Sequence, residues 1–185
     1  LEGENYSIDP AFSKITTTIE DTLSKEISGT PGDDNLSGTN AAEKISGGRG
    51  DDNIFANGGM DSLIGGRGDD NIYGTDAAEK ISGGRGDDII YANGGADLIN
   101  SGAGLDTVFL GTGAATVVLE IGEGFDTIYN FQLGATKFEV SSLDNLTFDD
   151  SNLGAKIFQE DDLIAVVAGE SANTFSSDKD TIFAV

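Results

Sequence analysis

Aspartate returns every 18 residues through the first half of the chain, at Asp34, Asp52, Asp70, Asp88 and Asp106, and once more at Asp126 after a two-residue slip. Halfway between them runs a second acidic series, Glu43, Asp61, Glu79 and Asp97, which ends at Ala115. If the chain coils with that period, each series becomes a ladder whose carboxylates lie about 4.8 Å apart. Two such charges repel by about 3–4 kcal/mol at an effective dielectric near 20, so a row of them needs something cationic between its rungs. The chain has no histidine and no cysteine. The nitrogen and sulfur donor sets of zinc, copper and haem therefore cannot be assembled, and only oxygen donors remain. Calcium suits such a set, because it takes six to eight oxygen ligands in irregular geometry and accepts the backbone carbonyls of a turn beside carboxylates.

The elements that must hold these ladders follow from a nine-residue register. Units begin at 29, 38, 47, 56, 65, 74, 83, 92, 101 and 110. The eighth residue of each is aliphatic: Leu36, Ile45, Ile54, Leu63, Ile72, Ile81, Ile90, Ile99, Val108 and Val117. Six residues of turn, with Gly at positions 1, 2 and 4 for positive φ and close backbone approach, lead into three extended residues. Alternation along the short strand sends position 8 to one face, so the aliphatic column becomes a thin shared interior. Two nonapeptides complete one coil, and the expected fold is an all-β parallel β-roll of 18 residues per coil. Residues 38–59 and 74–95 agree at 19 of 22 positions, a 36-residue block repeated within the array.

The units Gly47–Phe55, Gly65–Tyr73 and Gly83–Tyr91 match the pattern G-G-x-G-x-D-x-U-x, with U aliphatic. The chain thereby resembles the RTX family of calcium-binding nonapeptide repeats. The resemblance covers about residues 29 to 129 and implies a calcium-filled roll with several Ca2+ ions between successive turns of one edge. The ligands it implies are the position-6 aspartates and the carbonyls of Gly47, Arg49, Gly65, Arg67, Gly83 and Arg85, with Gly48, Gly50, Gly66, Gly68, Gly84 and Gly86 facing neighbouring ions. It also implies a chain that stays disordered in low calcium, leaves the cell by type I secretion and folds outside, as a module of a larger extracellular protein with a haemolysin-like or surface-layer character. The end of the chain, Asp180-Thr181-Ile182-Phe183-Ala184-Val185, is similar to the C-terminal signal of such exported proteins.

The second series departs from this pattern. Its turns read G-T-N-A-A-E at 38, A-N-G-G-M-D at 56, G-T-D-A-A-E at 74 and A-N-G-G-A-D at 92. Glutamate reaches further than aspartate, and Ala41 or Ala77 at the fourth place disfavours positive φ, so Glu43, Asp61, Glu79 and Asp97 are expected to bind calcium differently or more weakly.

Net charge is −23, from 33 acidic and 10 basic residues, which opposes contact with nucleic acid or an anionic membrane. No stretch has the apolar length of a membrane span. Catalysis finds little to work with, since the acidic pairs belong to the repeat and no His or Cys is present; no enzyme activity is expected. Three parts are expected: residues 1–28 with an amphipathic capping helix over 10–25, the roll over 29–129, and a C-terminal β cap over 130–185. The helix rests on Asp9-Pro10 followed by Phe12, Ile15, Ile19 and Leu23, and the cap on short strands at 136–142, 145–148, 155–159, 162–168 and 181–185.

Two outward patterns complete the reading. Phe55, Tyr73, Tyr91, Phe109 and Tyr129 recur at position 9, as a ring stack or, in an alternative reading, as a surface for polysaccharide or self-assembly. Arg49-Gly50-Asp51 and its two repeats are read as interleaved charge ladders.

Overall fold

The computed structural model describes residues 25–122 and 124–185. The helix expected over 10–25 falls outside the described residues except for Lys25, which is extended. In chain order the strands of the array are β1 (Lys25–Ser28), β2 (Asn35–Ser37), β3 (Glu43–Arg49), β4 (Asn53–Phe55), β5 (Ser62–Arg67) and β6 (Asn71–Tyr73). They continue with β7 (Lys80–Arg85), β8 (Ile89–Tyr91), β9 (Leu98–Ala103), β10 (Thr107–Phe109), β11 (Thr116–Val118) and β12 (Asp126–Tyr129). The rest is β13 (Lys137–Glu139), β14 (Leu146–Asp150), β15 (Gly154–Gln159), β16 (Asp162–Ala168), helices α1 (Ala172–Ser177) and α2 (Lys179–Ile182), and β17 (Phe183–Ala184).

Odd and even nonapeptides separate into two sheets. One has the order β1-β3-β5-β7-β9-β11-β13-β17, the other β14-β15-β16-β12-β10-β8-β6-β4-β2. Every pairing from β1 to β13 is parallel, and the register is 18 residues from Leu36↔Ile54 through Val108↔Ile90. The slip then appears as Val108↔Ile128 and Val117↔Phe138. All ten position-8 side chains are 0–3% exposed, so the two sheets meet on the aliphatic column as the alternation requires. The parallel β-roll is the fold.

The roll reaches further in both directions than its nonapeptides. At its start, β1 lies beside β3 with Ile27 opposite Ile45, one strand earlier than the first Gly-rich turn. At its end, β13 and β17 extend the first sheet, and β16 joins β12 in parallel before folding back through β15 and β14. The cap therefore grows out of both sheets. Its interior is aromatic: Phe131, Phe138, Phe148, Phe175 and Phe183 sit with ring centroids 5.2–6.2 Å apart. Two corrections apply here. Helix α1 occupies a stretch with no strand or helix signal and is fixed by the fully buried Phe175. The expected strand 181–185 is half helix, because α2 takes Thr181 and Ile182 and leaves only Phe183–Ala184 to pair with β13.

The aromatic stripe stacks face to face, Phe55 to Tyr73 to Tyr91 to Phe109 to Tyr129, with centroids 4.7–5.0 Å apart and planes within 15°. Ring faces cover one another, so what the stripe shows to solvent is edges.

Candidate metal centre

The turns after the first sheet's long strands carry the Asp34-to-Asp126 series on one side of the roll. Strands β3, β5 and β7 run straight into these turns, pairing Gly48↔Gly66↔Gly84 and Arg49↔Arg67↔Arg85. Chain path here depends on glycine for two different reasons. At position 2, Gly48, Gly66 and Gly84 have φ of 112°, 127° and 126°, a region that side chains rarely enter. At position 1, φ is ordinary and the requirement is space. A Cβ on Gly65 would lie 2.3 Å from Asp70 Oδ2 and 2.6 Å from the Gly83 carbonyl oxygen, and Gly47 and Gly83 stand in the same relation to Asp52 and Asp88. Positive φ at position 1, expected from the sequence, is thus replaced by a small oxygen-lined cradle.

At the start of the row Asp34 keeps a buried, unpartnered Oδ1, while Asp52, Asp70, Asp88 and Asp106 use their two oxygens differently. Oδ1 accepts the backbone N–H of the aspartate one coil earlier: Asp34 N–H donates to Asp52, Asp52 to Asp70, Asp70 to Asp88 and Asp88 to Asp106, all at 2.8 Å. The Oδ2 atoms of Asp52, Asp70, Asp88 and Asp106 are buried and have no hydrogen-bond partner. A buried, unpartnered anionic oxygen costs more than any ordinary hydrogen bond returns, so the row is incomplete as a purely protein structure. All six aspartates of the series are 0–6% exposed.

Burial, ahead of the mutual repulsion of neighbouring rungs, drives these carboxyls towards the neutral form. It pushes Asp88 up to about 8, Asp52 to about 7, Asp70 to about 6 and Asp126 to about 7, and raises Asp106 as well. The backbone N–H bond to each rung pulls the other way and does not prevail. On the opposite edge the same cause, burial first, raises Asp61 to about 6 and Asp97 to about 7.

The fit to a hard cation is good on this evidence of shape and charge. Unpartnered carboxylate oxygens stand beside carbonyl oxygens in a cradle that a methyl group would fill, and the donors are all oxygen. Among the described residues no three carboxylates gather at one point, so turn carbonyls must complete any coordination shell. Of the carbonyls named from sequence, those of Arg67 and Arg85 already accept the N–H of Gly50 and Gly68 at 2.8 and 2.9 Å, leaving one lone pair each.

The ends of the row are closed by hydroxyls that sequence reasoning missed. Thr30 donates its N–H, at 2.5 Å, and its hydroxyl, at 3.0 Å, to Asp34 Oδ2. At the other end Ser101 stands where Gly47, Gly65 and Gly83 stand in their units, and its hydroxyl donates to Asp126 Oδ1 at 2.8 Å. A hydroxyl residue at position 1 or 2 of a unit was the available signal.

The position-5 aspartates do not cancel the arginines. Asp33, Asp51, Asp69 and Asp87 each accept a backbone N–H from the next coil at 2.8–2.9 Å. The ion pair among the described residues is instead Lys44 to Glu26, 2.7 Å and half exposed. These outer carboxylates are a second hydrogen-bond ladder that holds the turns in register.

Comparison with known proteins agrees with the geometry. Residues 28–59, 37–72 and 73–108 match the family described as RTX calcium-binding nonapeptide repeat. No curated protein matches the chain. The solved structure of the AlgE6R3 subunit of a mannuronan C5-epimerase from Azotobacter vinelandii is similar over 66% of this chain and 81% of that one, at 25% identity and a TM-score of 0.50. The extracellular lipase LipA from Serratia marcescens aligns with 89% of this chain and 40% of its own, at 14% identity and a TM-score of 0.36. No described helix is long and apolar enough to cross a membrane.

Proposed function

With residues 28–108 matching the RTX calcium-binding nonapeptide-repeat family, we propose that this chain is a calcium-dependent folding module, unfolded in low calcium and folded after export, serving type I secretion of an extracellular protein. One observation carries the reading: the row of buried Oδ2 atoms on Asp52, Asp70, Asp88 and Asp106, left without partners beside glycines whose Cβ would fill the gap. Bound calcium would supply the positive charge that this row lacks. Those four oxygens, with the carbonyls of Gly47, Gly65 and Gly83 and the remaining lone pairs on Arg67 and Arg85, form its ligand set. Position-2 and position-4 glycines shape the turns around it.

The chain's own part is to make folding conditional. One aliphatic side chain per nonapeptide faces inward, against the ordering entropy of a sequence with 27 glycines. Burying the aspartate row as anions adds a further cost, so the metal-free chain remains extended and suited to passage through a secretion channel. Each ion that binds only the folded state adds RT ln(1 + [L]/Kd), and extracellular calcium modules have Kd of about 10⁻⁴–10⁻³ M. Several ions bound in series make the transition steep. Circular dichroism and light scattering during a calcium titration, with magnesium as control, test this: β-structure and compaction should appear with calcium and not with magnesium.

A second reading is favoured by the similarity to a mannuronan epimerase subunit. The module would hold an acidic polysaccharide through calcium. The ring edges of the aromatic stripe offer no open faces for sugar stacking, so binding would rest on the ions, and glycan binding that persists in chelator would exclude it.

A further inference from the structure

The opposite edge of the roll solves the same charge problem with its own side chains. Glu43 and Glu79 are buried like the aspartates across the roll, yet neither has an oxygen without a partner. Glu79 Oε2 accepts the Thr75 N–H at 3.1 Å, and its Oε1 accepts the Thr75 hydroxyl at 2.6 Å. Glu43 Oε2 accepts the Thr39 N–H at 3.0 Å, and its Oε1 accepts the Thr39 hydroxyl. Each threonine oxygen in turn accepts an N–H, from Ala41 or Ala77, at 3.1 Å. With its acceptor side occupied, the hydroxyl has one direction left for its proton, towards the glutamate. Glutamate's extra methylene lets the carboxylate reach back to its own turn.

The arrangement is local, spanning Thr to Glu at i, i+4, and is built identically in two turns 36 residues apart. It also recurs with Asp34, whose Oδ2 takes both donors of Thr30, while Thr30 Oγ1 accepts the Gly32 N–H at 3.3 Å. Where Thr holds position 2 and Glu position 6, both carboxylate oxygens are served from within; with Asp34 only Oδ2 is, and its Oδ1 stays buried and unpartnered. Wherever Gly holds position 2 with Asp at position 6, at 47, 65, 83 and 101, Oδ2 is not. A β-branched residue does not adopt the φ of Gly48, Gly66 or Gly84, so the choice at position 2 selects one turn or the other.

We propose that Thr39 and Thr75 take the place of a cation at Glu43 and Glu79, so that these two glutamates are not metal ligands and the calcium row is one-sided. This rests on the reading of the Asp52-to-Asp106 row as the calcium edge. Asp61 keeps one buried, unpartnered oxygen, but on the rungs either side of it both oxygens of Glu43 and Glu79 already accept a threonine donor, so no two successive carboxylates of this edge share an unpartnered oxygen. Every second rung of this edge interrupts the row. Threonine-glutamate turns also need no calcium to form, which gives the roll one edge whose hydrogen bonds are available before the ions arrive.

The test is a count of bound calcium by native mass spectrometry and calorimetry on the full chain and on two double variants. Glu43→Gln with Glu79→Gln should bind as many ions as the wild type at saturating calcium, whatever the shift in its midpoint, because losing the threonine bonds weakens folding without removing an ion. Asp52→Asn with Asp88→Asn should lose ions. Loss of ions from the glutamine variant overturns the proposal. Carboxyl-carbon NMR of the unaltered chain gives the same answer without substitution. On calcium addition the side-chain resonances of Asp52, Asp70 and Asp88 should move and those of Glu43 and Glu79 should stay, and movement of the glutamates overturns it. If the wild type binds no calcium in either assay, the aspartate-row reading fails and this inference falls with it.

Discussion

The roll and its C-terminal cap bury hydrophobic surface in different amounts, and their stability should answer to different things. In the roll a single aliphatic column is shared by two sheets, and buried acids flank it on both sides. In the cap five phenylalanines pack against one another, strands turn back antiparallel, and the buried polar residues are few. The cap has a core of the ordinary kind; the roll has a thin aliphatic column beside buried carboxylates. On the proposed reading, calcium dependence is expected to reside in the array, with the cap as an end whose packing is expected not to depend on the ions.

The largest effect that would sharpen this contrast is expected in the cap. Phe175 is fully buried at the centre of the ring cluster, and Phe175→Ala should cost about 3–5 kcal/mol, as aromatic truncations in cores do. Chemical denaturation should show that loss at any calcium concentration that folds the chain. A loss that vanishes at saturating calcium would break the distinction.

Next is Gly65→Ala in the array. The added methyl meets Asp70 Oδ2 and the Gly83 carbonyl, so it fills the cradle and forces a turn apart. A calcium midpoint raised by about tenfold or more, equivalent to about 1.4 kcal/mol for each ion bound on folding, is expected from a titration followed by circular dichroism. Asp70→Ala, which removes one rung in mid-row, should raise the midpoint by a smaller factor. Asn71→Ala, on the outward face of β6, should leave it unchanged, and equal midpoints for the two variants would contradict the ligand assignment.

Acidity gives the mildest and most diagnostic contrast. In the folded, metal-free chain Asp52, Asp70 and Asp88 lie at about 7, 6 and 8, against an ordinary 3.8. The folded state therefore holds more protons than the unfolded one, and the slope of stability with pH is negative across that window. In chelator the roll should be most ordered near pH 4 and lose order as pH rises towards 8. With calcium present the trend reverses, because protons compete with the ions for the same oxygens. Hydrogen exchange resolved by segment would show β4 to β10 following pH and the cap following it less.

Much of this was legible in the sequence because the array repeats. An aliphatic residue at every eighth position of ten units fixes the two sheets, their register and the buried column, and the 18-residue return of aspartate places the row on one edge. Most of what escaped has no period to reveal it. The first strand, Lys25–Ser28, carries no glycine turn and is recruited by pairing with β3. Helix α1 contributes one buried residue in six and shows no amphipathic spacing. The parallel pairing of β16 with β12 joins residues far apart in the chain, which local patterns do not encode. Thr30, Thr39 and Thr75 were visible as residues but their role depends on the i, i+4 return of a carboxylate across a turn.

The central claim is that cations complete the row of aspartate oxygens, and the most direct measurement is a crystal structure grown in calcium with anomalous data collected for that element. The account predicts anomalous peaks between successive turns beside the Oδ2 atoms of Asp52, Asp70, Asp88 and Asp106. Gaps occupied by water or by lysine side chains, with no anomalous signal along that edge, would contradict it.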